Sequence, residues 1–315
     1  MIKIIVTGCA GFIGYQISKE LIKKNKVIGI DNFFSGDYEK VKKLKKSKNF
    51  DFFNESIENF DFFESFLRKN DDIYAIIHLA GITDVDFSKK NENLTMNINY
   101  IASKKIFMKS KEFKIPRFIF AGSAAEYGNY NKEKNDDIDS RCKLLSKISP
   151  YAFSKFKVSE YIKKQNYGCS LRLFNVYGPG QNPNNKYSGV ITKFINKLIN
   201  KKKITIYGDG KQTRDFVYVD DVVQAFVKSL KNFDEKLIGT FNIGTNKKTS
   251  INKLIEIISK INKSKPQITH KKMRNHDIID SVSNGKNFFT ITGFSPKVNI
   301  EKGLVRTFKS FKELK

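Results

Sequence analysis

Cysteine, histidine and acidic side chains are all scarce in these 315 residues, and long apolar runs are missing. No stretch approaches the about 20 consecutive apolar residues of a bilayer-spanning helix, so no membrane partner is expected. A basic, apolar, cleavable leader is also lacking, which predicts a cytoplasmic protein. The three cysteines, Cys9, Cys142 and Cys169, are odd in number and have no metal-like spacing. They read as reduced, buried thiols rather than a disulfide framework. His78, His270 and His276 are too dispersed to predict a metal site, and His78, at the end of an apolar strand, reads as structural. Internal repeats and low-complexity linkers are lacking as well.

The shortage of acid is the most conspicuous: 32 Asp+Glu against 58 Lys+Arg leave a formal charge of +26. Such an excess fits nucleic acid or an acidic membrane surface. The lysines, however, are scattered along exposed helix faces (LIKKNK, KVKKLKKSKN, LINKKK, INKSK) with no aromatic-interleaved groove between them. Lys, Asn, Ile and Phe are enriched together, as a coding bias toward AT-rich codons would enrich them, so nucleic acid is not expected as a partner. The positive field would still gather an anionic substrate. With 40% hydrophobic residues the chain can bury a large core in one or two closely packed domains.

What is present begins at once. Ile2 to Val6 form a short buried strand, and Gly8, Gly11 and Gly14 follow before a helical pattern starts at Phe12. Gly8 allows the tight turn, Gly11 lets backbone approach a pyrophosphate, and Gly14 lets the helix pack closely on the sheet. The free N–H groups of the helix start attract the anion. The spacing Gly-x-x-Gly-x-x-Gly departs from Gly-x-Gly-x-x-Gly, but the context is right: a second strand, Lys26 to Ile30, ends at Asp31. A carboxylate there binds ribose hydroxyls and repels a 2′-phosphate, favouring NAD over NADP.

Strands continue at Phe50–Phe53, Ile73–Leu79, Arg117–Ala121 and Cys169–Phe174, with helices between them, including a long one over Asn93–Lys111. The alternation predicts an α/β fold with a Rossmann-type, doubly wound parallel sheet. Ala80 and Gly81, at the carboxyl end of one strand, leave room for a cofactor. After Tyr177 the alternation loosens. We expect an NAD-binding domain over 1–176 and a smaller mixed α/β substrate domain over 177–315, with a segment near 215–245 packing back on the first.

Ser123 lies at a strand mouth, and Tyr151 and Lys155 stand one helical turn apart behind Pro150. All three converge on the crevice where an open α/β sheet binds ligands. A phenol near pKa 10 is a poor base at neutral pH; an ammonium one turn away and the nicotinamide charge would lower that by about three units, or roughly 4 kcal/mol. Ser123 would hydrogen-bond the oxygen that alternates between alcohol and carbonyl. A Tyr-x-x-x-Lys pair standing alone is more often a core tyrosine beside a snorkelling lysine. Following a dinucleotide loop, it reads as catalytic.

With these residues in view the chain resembles the extended short-chain dehydrogenase/reductases, and most of all the nucleotide-sugar epimerases of the UDP-glucose 4-epimerase type. The motifs VTGCAGFIG, DNFFSG, HLAG, SAAEYG, SPYAFSK, LRLFNVYGPGQNP, YGDGKQTRDFVYVDDV, FNIGT and RNHD occur in that order over nearly the whole length. The resemblance implies cofactor contacts at Phe12, Ile13, Asn32, Ser35, Gly36, Ser56, Ile57 and Leu79, and a role for Asn99 in holding Lys155. It implies substrate contacts at Ser123, Ala124, Asn175, Tyr207, Arg214, Arg274, Asp277 and Ser281, with both arginines on the diphosphate. It further implies 4-epimerisation of a UDP-sugar by way of a 4-keto sugar, and a homodimer paired through two long helices. The alternative is a reductase, a decarboxylase or another epimerase of a GDP, CDP or TDP sugar.

Several positions depart from the family pattern. Ser56-Ile57 replaces an Asp-Ile pair that contacts adenine. Ala124 and Ala125 stand where 4,6-dehydratases carry an acidic pair, which disfavours dehydration. Ser281 replaces a bulky tyrosine and would leave room for an N-acetyl group. Glu126 replaces a small apolar residue and receives no role.

Overall fold

The computed structural model describes residues 1–128, 147, 149–183, 188–231, 237–273 and 278–313. Seven strands form one sheet: β1 (Lys3–Thr7), β2 (Lys26–Ile30), β3 (Phe50–Phe53), β4 (Ile73–His78), β5 (Arg117–Ser123), β6 (Cys169–Leu173) and β11 (Gly239–Ile243). Their order is β11-β6-β5-β4-β1-β2-β3 and every pairing is parallel. This is the doubly wound sheet that the alternation predicts. Its order reverses at β1, so the carboxyl ends of β1 and β4 open a crevice between them.

Helices cover both faces, which is why the strands read as continuous apolar runs. Ile4 and Val6 point into one layer with Ile17, Leu21, Val217 and Phe226. Ile5, between them, points into the other with Ile28, Ile76, Phe118 and Val158. The last sheet strand, β11, arrives from the far end of the chain and adds beside β6 in the register Phe241↔Leu171.

The remaining strands are short and lie outside this sheet. β7 (Asn175–Tyr177) pairs with β10 (Phe216–Tyr218), β8 (Ile204–Tyr207) with β13 (Ile268–Lys271), and β9 (Thr213–Arg214) lies between β12 (Thr249–Ser250) and β14 (Asp280–Ser281). Helices Val190–Ile199, Ile251–Asn262 and Ile300–Glu313 bury Phe194, Ile195, Leu254, Ile258, Leu304 and Phe308 against β8 in a separate apolar cluster.

One helix differs from expectation. The segment read as continuous over Asn93–Lys111 is α-helical at Glu92–Met96, a π turn at Asn97–Ala102, and α-helical again at Ser103–Glu112. A single widened turn leaves the apolar periodicity on either side nearly intact, so it leaves no mark in the pattern. It faces the carboxyl end of the sheet and carries Asn99.

His78 is buried with both ring nitrogens partnered, Nδ1 with Thr7 Oγ1 at 2.7 Å and Nε2 with Ser103 Oγ at 2.8 Å. Cys9 and Cys169 are buried free thiols; Cys142 and His276 lie outside the described residues. Among the described residues there is no group of His, Cys, Asp and Glu placed to hold a metal, and no helix long and apolar enough to cross a membrane.

Candidate active site

The turn after β1 builds the floor of a cleft. Gly8 adopts φ +73°, and a Cβ on it would meet Ala80 N at 2.8 Å; a Cβ on Gly14 would meet the Gly8 carbonyl oxygen at 2.1 Å. Only glycine permits that approach. Helix α1 (Phe12–Leu21) starts here with Gly11 as its N-cap and no side-chain cap, which leaves N–H groups free for an anion. Two residues past the Gly8 turn, the Ala10 N–H donates to Asp31 Oδ2 at 3.0 Å, while Asp31 Oδ1 takes the Phe33 N–H at 2.8 Å. Burial pushes the Asp31 carboxyl above its ordinary range, and the Phe33 and Ala10 donors pull the other way.

A cavity of about 620 Å³ opens above this floor. Gly8, Gly11, Phe12, Ile13, Gly14, Asp31, Asn32, Ser35, Gly36, Ser56, Ile57, Leu79, Ala80 and Gly81 all line it, together with Ser123, Tyr151 and Lys155. The glycine turn, the Asp31 carboxylate and the Ser123, Tyr151 and Lys155 side chains thus line one cavity. Thr83, Asp84, Phe87, Gln181 and Asn182 also line it. Phe87 sits on the short helix Val85–Lys90, which Asp84 caps, and Gln181 and Asn182 lie in the loop after Tyr177.

The reactive corner is held by several independent contacts. Ser149 caps helix Pro150–Lys164 by accepting the Ala152 N–H, and Pro150 occupies its first position. Tyr151 is thereby set at the helix start, its N–H reaching Ser88 Oγ at 3.3 Å, and its hydroxyl hydrogen-bonds Ser123. Burial pushes the Tyr151 phenol up, the Ser123 bond offsets part of that, and the Glu126 charge adds to it. Lys155 is 3% exposed; burial brings its ammonium down to about 8, with the Glu126 charge opposing. Its Nζ donates to the Ala121 carbonyl at 2.9 Å and lies 4.5 Å from the Phe120 ring centroid.

Asn99 is buried behind this corner. Its Oδ1 accepts the Ile82 N–H and its Nδ2 donates to the Ile82 carbonyl, both at 2.7 Å, and Nδ2 also meets Ser154 Oγ at 3.2 Å. It therefore pins the loop after β4 and touches the neighbour of Lys155.

The residues expected on the substrate lie farther along the chain. Ala124 sits in a 3₁₀ turn, Ala124–Tyr127, directly after Ser123. Ser281 is buried and in register with Arg214 across β14 and β9, while Asn175 Nδ2 donates to the Asp215 carbonyl at 3.3 Å. Asn175, Arg214 and Ser281 thus occupy neighbouring backbone. Tyr207 ends β8, its carbonyl taking the Gln212 amide at 2.7 Å. None of these five is on the wall of the 620 Å³ cavity. Arg274 and Asp277 lie outside the described residues.

Two buried acids escape a reading of the sequence. Asp215 accepts the Thr245, Asn246 and Ser283 N–H groups and the Thr245 and Ser283 hydroxyls, and so ties the strand bearing Arg214 to two loops. Glu126 pairs with Arg172 at 2.7 Å beneath Ser123. Arg172 and the Thr245, Asn246 and Ser283 donors are tens of residues away from these acids in sequence, so no local pattern announces the pairings.

Residues 4–244 match the NAD dependent epimerase/dehydratase family. A putative UDP-glucose 4-epimerase of Methanocaldococcus jannaschii is 34% identical, over 96% of each chain. The UDP-N-acetylglucosamine 4-epimerase of Methanobrevibacter ruminantium, solved with UDP-N-acetylmuramic acid, superposes with a TM-score of 0.90 at 33% identity, covering 100% of this chain and 99% of that one. A Bacillus cereus UDP-glucuronic acid 4-epimerase, solved with UDP-glucuronic acid and NAD, gives 0.89 at 28% identity with complete coverage of both chains.

Proposed function

The chain belongs to the NAD-dependent epimerase/dehydratase family, and we propose that within it the protein interconverts the 4-epimers of a UDP-linked sugar through a transient 4-keto sugar. It is an NAD-dependent enzyme of nucleotide-sugar chemistry. The glycine-floored cradle and Asp31 fit the cofactor's pyrophosphate and adenosine ribose. Bound NAD supplies the acceptor, and later the donor, of the hydride at sugar carbon 4. The chain's own residues handle the proton and the geometry. Tyr151 Oη takes the proton of the 4-hydroxyl as the carbon is oxidised and returns it after the ring has presented its other face. Lys155, as an ammonium, stabilises the phenolate, and Ser123 Oγ orients the same oxygen.

The observation that carries this reading is that Ser123, Tyr151 and Lys155 line the same cavity as the Gly8–Gly14 floor. Ala124 and Ala125, beside Ser123, offer no acid to protonate a leaving hydroxyl, which favours epimerisation over dehydration. Arg214 and Arg274 are assigned to the diphosphate and Tyr207 to the base. The small Ser281 favours an N-acetylated or uronic sugar, with UDP-N-acetylglucosamine as the leading candidate; a strong kinetic preference for UDP-glucose would reverse that assignment. A homodimer paired through the segments near Asn93–Lys111 and Pro150–Gln165 is assigned to this protein, with the exposed Leu94, Ile101 and Met108 on the first as its apolar face, to be read by light scattering.

The deciding experiment is incubation with a panel of nucleotide sugars without added cofactor, followed by NMR of the ring. A 4-epimer forming with no net change in NADH absorbance is expected. Net oxidation of added NAD(P)H would instead make the protein a reductase, and loss of the sugar's carboxyl carbon as CO2 would make it a decarboxylase.

A further inference from the structure

Glu126 is fully buried, and so is its partner Arg172. Each carboxylate oxygen is committed: Oε1 accepts the Ser123 backbone N–H at 2.8 Å, and Oε2 accepts Arg172 Nε–H at 2.7 Å. Arg172 reaches the Tyr127 hydroxyl with a terminal nitrogen at 3.5 Å, and that hydroxyl donates to Asn242 Oδ1 at 2.7 Å. The chain of contacts therefore starts under Ser123 at the end of β5, crosses β6 and ends on β11. It has little room to shift, since a Cβ on Gly122 would lie 2.7 Å from Glu126 Oε1 and 3.3 Å from Arg172 Cγ.

A buried ion pair is no better for stability than well-packed apolar residues of the same volume. Its location directly behind the reacting corner points to a different use. We propose that Glu126, clamped by Arg172, is a positioning residue for the reaction: it holds Ser123 from below and lays one negative charge behind the Tyr151–Lys155 pair. The proposal rests on the epimerase reading for its kinetic consequences, although not for its electrostatic ones.

The charged and titratable groups facing that pair are Glu126 on the 3₁₀ turn, Arg172 on β6 behind it, and His78 on β4. Burial brings His78 down to about 3, so it is neutral in the working range. Of the ion pair, Glu126 is the member whose charge both Tyr151 and Lys155 feel. It keeps Lys155 an ammonium where burial pushes it toward the neutral amine, and that cation is what supports the phenolate during proton transfer. It also restrains Tyr151 from ionising before the cofactor's charge is in place.

The test compares wild type with Glu126→Gln, which keeps an oxygen for the Ser123 N–H and loses the charge. Both limbs of the kcat–pH profile are expected to move acid-ward by about one pH unit, with KM changed less than about threefold. An ultraviolet titration of Tyr151, taken as the difference from a Tyr151→Phe protein, should move the same way without any substrate. If the stranded Arg172 prevents folding, the double variant Glu126→Gln/Arg172→Gln carries the test, and its limbs and titration should also shift acid-ward. A lower kcat with unmoved limbs and an unmoved titration would reduce the pair to a structural tie and overturn the proposal. A shifted titration in a protein that epimerises nothing would instead sustain the proposal and overturn the epimerase reading.

Discussion

Replacing Lys155 with methionine should make the protein slower and, at neutral pH, no less stable. Burial brings the folded-state ammonium from 10.5 to about 8, so at pH 7 the charged side chain opposes folding by about 3 kcal/mol. The unfolded chain holds this proton up to pH 10.5 while the folded one releases it near 8. Wild-type stability therefore rises with pH between these values and has its lowest Lys155 contribution below 8. Methionine removes the opposing effect but loses the 2.9 Å bond to Ala121 and the contact with the Phe120 ring, together about 1–3 kcal/mol. The balance at pH 7 runs from near zero to a gain of about 2 kcal/mol, turning to a net loss above pH 10. In the reaction, an ammonium about 5 Å from a phenolate is worth about 3 kcal/mol at an effective dielectric constant of 20, so kcat should fall about 100-fold. Raising the pH should recover part of it as Tyr151 ionises unaided. Thermal denaturation at pH 7 and 10, with a kcat–pH profile, reads both effects. A variant much less stable at pH 7, with a loss of kcat equal at every pH, would make Lys155 a strut and refute the reasoning.

Three further substitutions probe the cradle. Asp31→Asn keeps a partner for one of the Ala10 and Phe33 N–H groups but loses the charge; calorimetric titration should find NAD bound about tenfold more weakly and the preference over NADP narrowed by at least as much, and an unchanged preference would remove Asp31 from the ribose site. Gly14→Ala would set a methyl 2.1 Å from the Gly8 oxygen, lowering stability by about 2–3 kcal/mol and abolishing NAD binding; wild-type affinity would mean that the cradle is elsewhere. Asn99→Leu strands both polar groups of Ile82, and urea denaturation should show a loss of about 2–4 kcal/mol.

What sequence alone revealed and what it hid divide along physical lines. The Gly8 turn, the Asp31 strand end and the Tyr151–Lys155 spacing are local: glycine's freedom, strand periodicity and one helical turn act within a few residues, and all of these side chains line one cavity. The Glu126–Arg172 pair joins residues 46 apart, and the Asp215 knot draws on donors about 30 and 68 residues away. Neither leaves a periodic trace. The π turn at Asn97–Ala102 adds too little to disturb a helical pattern. The strand Gly239–Ile243 falls in the segment near 215–245 expected to return to the first domain, but its pairing with β6 in particular is long-range and leaves no local mark.

The central claim is that one carbon is oxidised and reduced in place while Tyr151 carries the proton. Incubating the enzyme, with no added cofactor, with a UDP-sugar deuterated at carbon 4 tests it most directly. The account predicts that the 4-epimer retains the deuterium at carbon 4, and that unlabelled sugar in heavy water gains none there. Loss of the label to solvent would show that the carbon–hydrogen bond breaks as a proton, and would contradict it.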